Sequence, residues 1–260
     1  MKLHFFKYHG AGNDFVLVDN RKLTFEADNF SLVARMCDRR FGIGADGLML
    51  LQDHPSADFE MRYFNSDGRE GSMCGNGGRC IVAFARQLNI CGKTTRFMAV
   101  DGLHDAEVTG DGEISLKMSD VKEIENIGPD FYLNTGSPHY VRFMDDLSHL
   151  DVFAEGRKIR YNERFSQVGT NVNFVREDAG QLTVYTYERG VEDETLACGT
   201  GITASVLSEA WRKGIRKGHI PVKAKGGELS VSFVRQADGF SDIWLKGPAV
   251  SVFEGDYTIG

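Results

Sequence analysis

Two cysteines in the sequence have neighbours that favour acid and base chemistry. Cys74 and Cys198 each begin the pattern Cys-Gly-x-Gly, and an apolar stretch with helical spacing follows in both cases. A cysteine at the start of a helix feels the positive end of the helix dipole and the unpaired N–H groups of the first turn, which favour the thiolate. The glycines let a ligand approach those N–H groups. Each segment is therefore compatible with a site where a thiol acts on a substrate that carries a carboxylate.

The two segments repeat one longer motif. Both spell Glu-x-x-x-Cys-Gly-x-Gly, at residues 70–77 and 194–201, and each lies between an aromatic-rich strand segment and an apolar helix. Taken singly, either cysteine is better interpreted as a small buried residue before a glycine-rich turn. Because both occur in the same frame, about half a chain apart, the repeat predicts two similar halves with one reactive thiol in each.

Two such thiols could form a disulfide, bind a metal or move a proton. The sequence has no close cysteine or histidine pairs near them, so it predicts no metal site. A redox pair usually has the spacing Cys-x-x-Cys or an exposed resolving thiol, and it has no need of two anion-binding helix starts. Inversion of one carbon needs a base on one face and an acid on the other, which a thiolate and a thiol supply. The residues therefore favour a cofactor-independent epimerase, with a redox-sensing disulfide protein as the alternative.

The elements that must position these residues follow the same plan in both halves. Alternating segments predict strands, and helical spacing predicts the helices. The predicted strands cover residues 3–7, 15–19, 48–51, 59–64 and 96–100, then 139–143, 171–175, 182–187, 229–234 and 243–245. The predicted helices cover residues 30–39, the stretch from about Cys74 to Leu88, and residues 199–213.

Composition and charge narrow the class of ligand. A net charge of −7 gives no reason to expect nucleic acid or an anionic membrane as a partner. The sequence has no run of eighteen apolar residues and no signal peptide, so a cytoplasmic location is expected. Five cysteines, an odd number, do not suggest a disulfide framework. Of the other three, Cys37 and Cys80 are predicted to be core residues and Cys91 to lie in a helix-end turn.

Over nearly its whole length the sequence resembles the diaminopimelate epimerases, which interconvert LL- and meso-diaminopimelate without pyridoxal phosphate. Each shared motif is short, but their order and spacing together are specific. The motifs are Gly12-Asn-Asp-Phe15, Gly42-Ile-Gly-Ala-Asp-Gly47, Tyr63-Phe-Asn-Ser-Asp-Gly68, Cys74-Gly-Asn-Gly-Gly-Arg79, Thr135-Gly-Ser-Pro-His139, Tyr187-Glu-Arg-Gly190 and Ala197-Cys-Gly-Thr-Gly201.

The resemblance implies roles for particular residues. Cys74 and Cys198 would be the acid and the base, and His139 and Glu188 would tune the thiols, with Glu188 also at the reacting amine. The reacting carboxylate would meet backbone donors at Gly75, Asn76, Gly199 and Thr200. The remaining substrate-binding residues would be Asn13, Asp46, Asn65, Asn171 and Arg189, of which the asparagines and Arg189 would hold the distal end of diaminopimelate.

The resemblance also implies a fold and an assembly. The expected fold class is α/β (α+β), with two pseudo-symmetric domains that are each a curled mixed sheet around a central helix, and with the active site in the interdomain cleft. The expected domains are residues 1–118, completed by 249–260, and residues 119–248. A homodimer is expected, without metal or cofactor, in lysine and peptidoglycan-precursor biosynthesis.

The sequence departs from the family pattern at one motif position. Ser137 replaces an asparagine of the family, and a hydroxyl reaches less far than an amide and offers one donor instead of two. Near the C-terminus Phe253 stands where the family has a tyrosine that supports dimerisation. A related two-cysteine racemase of proline or hydroxyproline is the alternative within enzymes. The set of Asn13, Asn65, Asn171 and Arg189 argues against it, because proline lacks the second amino and carboxyl groups that these residues would bind.

Overall fold

The computed structural model describes residues 2–71 and 73–259. The chain divides into two compact units: unit 1 runs to Leu116 and resumes at Pro248, and unit 2 comprises Lys117–Gly247. Both units are mixed α/β structures in which strands predominate, with two helices each. Each helix that starts at one of the two repeated motifs is buried on most of its surface.

Unit 1 is built on strands that pair in chain order. Antiparallel pairing joins most neighbours, while β2–β3 and β4–β5 are parallel, with a helix in each parallel crossover. Its elements are β1 (Lys2–Gly10), β2 (Asn13–Asp19), α1 (Phe30–Cys37), β3 (Gly47–Gln52), β4 (Phe59–Asn65), α2 (Gly75–Gln87), β5 (Thr94–Ala99), β6 (Gly102–Val108) and β7 (Ile114–Lys117).

Unit 2 repeats this pairing pattern with one added strand. The parallel pairs are β10–β11 and β12–β14, again with a helix in each crossover, and β13 pairs with the end of β12. Its elements are β8 (Ile124–Ile127), β9 (Asp130–Asn134), β10 (Pro138–Phe143), α3 (Val152–Arg160), β11 (Asn171–Asp178), β12 (Gln181–Glu188), β13 (Asp193–Thr195), α4 (Gly199–Lys213), β14 (Lys217–Ala224), β15 (Gly227–Arg235) and β16 (Phe240–Gly247).

The last strand returns to unit 1. β17 (Val250–Thr258) pairs antiparallel with β1 from Lys2↔Thr258 to His9↔Val250, with one irregularity after Lys7. The first and last strands of the chain are therefore neighbours. Both β1 and β17 also contact α2, so residues from the end of the chain help to enclose the helix that begins after Cys74.

Strand pairing fixes which residues of the two units correspond. Glu70 pairs with Phe64 and Glu194 pairs with Tyr187, so the repeated glutamates oppose matching strand positions. The neighbouring strands continue this correspondence, because Leu48 lies opposite Phe64 in unit 1 and Val172 lies opposite Tyr187 in unit 2. By this register the corresponding pairs are Phe15 and His139, Met49 and Asn173, Tyr63 and Thr186, and Asn65 and Glu188.

The predicted strands and helices are present, and several elements were missed. The helix predicted over residues 30–39 ends earlier, at Cys37, because the N–H groups of Ile43, Gly44 and Ala45 donate to carbonyls of its last turn. Helix α3 was not predicted because Gly156 interrupts its centre. That glycine is required, since an added Cβ would overlap the Tyr187 side chain. The strands not predicted are β6, β7, β8, β9, β13 and β14.

Candidate active site

Cys74 is the residue that caps helix α2. Its backbone is extended (φ −110°, ψ 150°), and its sulfur accepts a hydrogen bond from the N–H of Gly77 at 3.3 Å. The side chain is partly exposed. Gly77 leaves room for the sulfur, because an added Cβ there would lie 3.3 Å from Cys74 Sγ. The predicted helix start and the position of the thiol on it are confirmed in unit 1.

Cys198 is the corresponding cap of helix α4. Its backbone is also extended (φ −108°, ψ 110°), but its sulfur makes no capping hydrogen bond to the helix. Instead the sulfur lies 3.4 Å from the hydroxyl of Thr200. The residue is 9% exposed and thus less accessible than Cys74. The two thiols occupy the same backbone position in different chemical surroundings.

Three of the predicted substrate-binding residues lie together in unit 1. The amide of Asn76 donates to Asn13 Oδ1 at 2.6 Å, and Asn13 Nδ2 donates to Asp46 Oδ2 at 2.9 Å. Arg39 holds Asp46 in an ion pair at 2.6 Å. This chain of contacts leads from the first turn of α2 to the surface, and it fixes the orientation of each amide in the set. Asn65, at the end of β4, is exposed.

Arg79, one turn into α2, is a buried cation beside these residues. It has no exposed surface, and its guanidinium donates to Gly75 O, Asn76 Oδ1 and Pro248 O at 3.2, 2.8 and 3.3 Å. Burial lowers its pKa, while the nearby thiols Cys80 and Cys74 act in the opposite direction. Because all three acceptors are neutral, the charge of Arg79 favours an anion at this helix start.

His139 lies beneath the start of α4 in unit 2. The ring is fully buried; its Nε2 lies 2.9 Å from Thr200 Oγ1 and its Nδ1 3.0 Å from Asn173 Nδ2. Burial, with a smaller contribution from Arg189, lowers the pKa of His139 to about 3. His139 is therefore neutral at physiological pH, and its link to Cys198 passes through the Thr200 hydroxyl.

Asn171 and Arg189 also meet in unit 2. The N–H of Arg189 donates to Asn171 Oδ1 at 2.9 Å, and Asn171 Nδ2 donates to Ser137 Oγ at 2.7 Å and to Pro138 O at 3.0 Å. The Arg189 guanidinium donates to Val168 O at 3.0 Å. Ser137, the position that departs from the family motif, is thus a partner of Asn171. Its hydroxyl keeps a hydrogen with which to donate to a ligand.

Glu188 ends strand β12. Its Oε2 accepts a hydrogen bond from Thr195 Oγ1 at 3.0 Å. By the strand register it corresponds to Asn65 of unit 1, so two of the predicted binding residues occupy matching positions. Each lies at the strand end that precedes a cysteine motif.

The remaining cysteines differ from the two helix caps. Cys37 and Cys80 are buried, which confirms the prediction that they are core residues. Burial raises the pKa of Cys37 to about 12 and raises that of Cys80 further. Burial also raises the pKa of the half-buried Cys91. These three thiols are therefore protonated and poorly reactive at neutral pH.

Two other kinds of site are absent from the described residues. Within residues 2–71 and 73–259, no three His, Cys, Asp or Glu side chains are grouped so that they could hold a metal ion. None of the helices in that part of the chain combines the length and apolar character needed to cross a membrane.

Arg79, Asn173 and Thr186 are site neighbours that the sequence analysis did not assign. Arg79 ends the motif Cys74-Gly-Asn-Gly-Gly-Arg79, but no role was predicted for it. Asn173 lies in β11 between the apolar residues Val172 and Phe174, and it and Thr186 are buried. A polar residue at a buried strand position was the signal that could have identified Asn173, because such a residue needs a hydrogen-bonding partner.

Solved structures with this fold define a class. A phenazine biosynthesis protein of the PhzF family from Bacillus anthracis has a TM-score of 0.73 at 16% identity, covering 100% of both chains. A hydroxyproline epimerase from Agrobacterium vitis has a TM-score of 0.68 at 12% identity, covering 98% of this chain and 92% of that one. The chain thus has the mixed α/β fold of the PhzF and diaminopimelate epimerase type.

Sequence comparison narrows this class to one family. The family model described as diaminopimelate epimerase matches residues 5–124 and 131–252. Diaminopimelate epimerases from Flavobacterium psychrophilum and Chlorobaculum tepidum are 51% and 45% identical to the chain. These alignments cover 98% and 96% of this chain and 99% of each relative. The chain belongs to the diaminopimelate epimerase family, and it is an isomerase.

Proposed function

We propose that this isomerase interconverts LL- and meso-diaminopimelate by two-base proton transfer between Cys74 and Cys198. The observation that carries the proposal is the repeated geometry: each unit places one cysteine as the cap of a buried helix of thirteen or fifteen residues, in the same strand frame. Membership in the diaminopimelate epimerase family supports the substrate.

The proposed step moves one proton on each face of the α-carbon. The thiolate of one cysteine removes the α-proton and becomes a thiol, while the other thiol donates its proton to the opposite face and becomes a thiolate. The reverse reaction uses the same groups with their roles exchanged. This chemistry needs both sulfurs at one carbon, so we propose that the active site forms between the two units and closes around the substrate.

The substrate carboxylate would be held by the two helix starts. The N–H groups of the first turns, including those of Gly75, Asn76, Gly199 and Thr200, would donate to it while negative charge spreads from the α-carbon. The buried cation Arg79 supports anion binding in unit 1, because its guanidinium lies on the same turn as these donors.

The distal end of the substrate would be bound by side chains from both units. Asn13, Asn65, Asn171 and Arg189 would bind the distal amino and carboxyl groups, and Asp46 would contribute through Asn13. Glu188 would contact the reacting amine, and His139 would act on Cys198 through Thr200. The hydrogen-bonded amides of Asn13 and Asn171 support this arrangement, since each is already held in one orientation.

The domains and the assembly of the protein are also matters of proposal. The units described here would be the domains predicted as residues 1–118 with 249–260 and residues 119–248, each with its sheet curled around its buried helix. We also propose a cytoplasmic homodimer. Phe253, which is 49% exposed on β17, supports contact with a second copy.

Exchange of the α-hydrogen tests the function directly. The purified, reduced protein is incubated with LL-diaminopimelate in D₂O, and loss of the α-proton signal is followed by NMR. Exchange with formation of the meso isomer is expected for the wild type, and each of Cys74→Ala and Cys198→Ala should reduce formation of the meso isomer at least about 100-fold, because inversion needs an acid–base group on each face. Cys91→Ala is the matched control and should exchange like the wild type.

Three outcomes would contradict the proposal. Exchange with proline or hydroxyproline instead of diaminopimelate would assign the protein to the racemases. Thiols that cycle with oxidant while neither substrate exchanges would indicate a redox-sensing protein. Formation of the meso isomer that survives in Cys74→Ala or Cys198→Ala would remove that thiol from the mechanism.

A further inference from the structure

A chain of hydrogen bonds leads through unit 2 to the sulfur of Cys198. Thr186 Oγ1 donates to Asn173 Oδ1 at 2.9 Å, and Asn173 Nδ2 contacts His139 Nδ1 at 3.0 Å. His139 Nε2 contacts Thr200 Oγ1 at 2.9 Å, and that hydroxyl lies 3.4 Å from Cys198 Sγ. Thr186, Asn173 and His139 are almost fully buried, so water does not compete for these contacts.

The orientation of Asn173 follows from its neighbours. Its Nδ2 also donates to the carbonyl oxygen of Tyr140 at 3.1 Å, and a carbonyl can only accept. Its Oδ1 accepts from the Thr186 hydroxyl. The contact with the Tyr140 carbonyl requires the nitrogen of the amide to face His139, and the Thr186 hydroxyl can donate to the oxygen that this leaves. Asn173 is therefore a donor to the ring, and His139 Nδ1 must be an acceptor without a proton.

The tautomer of His139 follows in turn. The buried ring is neutral, so with Nδ1 unprotonated its single N–H is at Nε2. That N–H donates to Thr200 Oγ1. Asn171 Nδ2 lies 3.5 Å from the same Nε2, but its hydrogens are directed to Ser137 and Pro138. Since the Thr200 oxygen accepts from His139, its own hydrogen is available to the sulfur of Cys198.

We propose that Asn173, supported by Thr186, is a positioning residue that holds His139 in the Nε2–H tautomer and so directs the Thr200 hydroxyl as a donor to the Cys198 thiolate. This inference rests on the proposed function, because it assigns the state of one of the two reacting thiols. Every donor in the chain then points towards Cys198, which favours the thiolate at this sulfur.

Unit 1 shows that a helix start of this shape does not need such a chain. The corresponding positions hold Phe15, Met49 and Tyr63, and the first and last of these pack edge to face with ring centroids 6.1 Å apart. The polar set is therefore specific to Cys198. A structural role common to both helix starts would have produced similar residues in both units.

The groups that face His139 are few. From β11 these are the neutral amides of Asn171 and Asn173, and from α4 they are Thr200 and the backbone of Gly201, whose added Cβ would lie 3.3 Å from His139 Cε1. After β12, Arg189 is the charged residue that acts on the ring, and it opposes protonation. Cys198 acts through Thr200.

The first experiment determines the tautomer by ¹⁵N NMR of the histidine rings in the full-length protein at pH 8. The His139 signals are assigned by their absence from His139→Gln. The wild type should show a protonated Nε2 and an unprotonated Nδ1. In Asn173→Asp the carboxylate accepts from the ring and should move the proton to Nδ1. A protonated Nδ1 in the wild type would overturn the inference.

The second experiment measures how fast iodoacetamide alkylates Cys198 and Cys74 as a function of pH, with both peptides quantified by mass spectrometry. Asn173→Asp should raise the pH midpoint of Cys198 alkylation by about one unit and lower kcat without a matching rise in KM. Thr186→Val should give a smaller shift in the same direction. Cys74 serves as the internal control and should keep its midpoint.

Thr203→Val provides the matched control variant. Thr203 is a buried threonine of α4 whose hydroxyl donates to Gly199 O, outside the chain, so this variant should leave the Cys198 midpoint unchanged. Equal shifts at both cysteines, or none at Cys198, would contradict the inference. The ring tautomer and the alkylation midpoints are measured without diaminopimelate, so both decide the inference even where the exchange assay of the proposed function is negative.

Discussion

The two helix starts share a backbone and differ in what surrounds the sulfur. In unit 1, Cys74 accepts a backbone N–H and a buried guanidinium lies one turn away. In unit 2, Cys198 contacts a hydroxyl at the end of a neutral polar chain. The duplicated fold supplies one thiol position twice, while the residues beneath each position give the two thiols different surroundings. A protein that must hold one thiolate and one thiol gains from that difference.

The difference extends to the ionised groups of the two units. Near the start of α2, Asp14 forms ion pairs with Lys7 at 2.7 Å and with Arg39 at 2.6 Å. Burial alone would raise the pKa of Asp14, but hydrogen bonds from Arg39 and Lys7 lower it to about 2. Beneath α4 the hydrogen-bonded side chains of His139, Asn173 and Thr186 are neutral. The groups near the start of α2 thus interact through charge, whereas those beneath α4 interact through directed hydrogen bonds.

The largest effect on stability is expected at the position five residues after each cysteine, which is Arg79 in unit 1 and Thr203 in unit 2. Arg79→Met removes three side-chain hydrogen bonds from a fully buried position, and relief from burying a charge offsets part of that cost, so we expect a loss of about 3–4 kcal/mol in the free energy of unfolding. Thr203→Val loses one hydrogen bond and should cost about 1 kcal/mol. Urea denaturation of both variants checks this. Equal losses would mean that charge is not what distinguishes the helix starts.

A pH-dependent effect is expected from His139. Its folded pKa of about 3 lies below its ordinary value of 6.5, so the unfolded chain binds more protons between these limits. The stability from this group is complete above pH 6.5 and is lost as pH falls towards 3. Compared with His139→Gln, the wild type should lose up to about 1.4 kcal/mol more per pH unit between pH 6 and 4. Parallel stability curves for the two proteins would refute this.

The smallest effects are expected from the matched glycines Gly77 and Gly201. An added Cβ at Gly201 would overlap Asn173 Oδ1, so Gly201→Ala should cost about 1–2 kcal/mol in thermal unfolding and disturb the polar chain. At Gly77 the new Cβ would meet Cys74 Sγ at 3.3 Å in ordinary helical backbone. Gly77→Ala should therefore leave stability nearly unchanged and lower the exchange rate. If Gly77→Ala lost more stability than Gly201→Ala, this predicted difference between the two units would be wrong.

The main elements of the fold could be predicted because their patterns are local. Helix α4 has the predicted bounds Gly199–Lys213, and Gly214 follows it in a left-handed conformation (φ 68°) that glycine adopts readily. Helix α3 was missed because of its central glycine, and strand β14 was missed because of a proline. Pro221 lies within β14, and a proline in the sequence argues against a strand because it cannot donate a backbone hydrogen bond. The strand forms nevertheless, since β14 pairs with β12 only through Val222 and Lys223, beyond the proline.

The site could be predicted in part for the same reason. Cys74 and Cys198 carry a repeated motif, so their helix-capping positions were visible in the sequence. The contribution of Asn173 was not, because it depends on the register that brings Asn173 opposite Thr186 and beneath Thr200. The burial of Arg79 likewise depends on Pro248, which lies at the far end of the chain.

The pairing of β17 with β1 has a consequence for protein synthesis. Every residue of unit 2 leaves the ribosome before β17 does, so unit 2 can complete its core while unit 1 still lacks an edge strand and the Pro248 carbonyl that Arg79 binds. The half that is translated first therefore receives its edge strand last. The Pro248 carbonyl that binds Arg79 is thus synthesised after every residue of the polar chain that leads to Cys198.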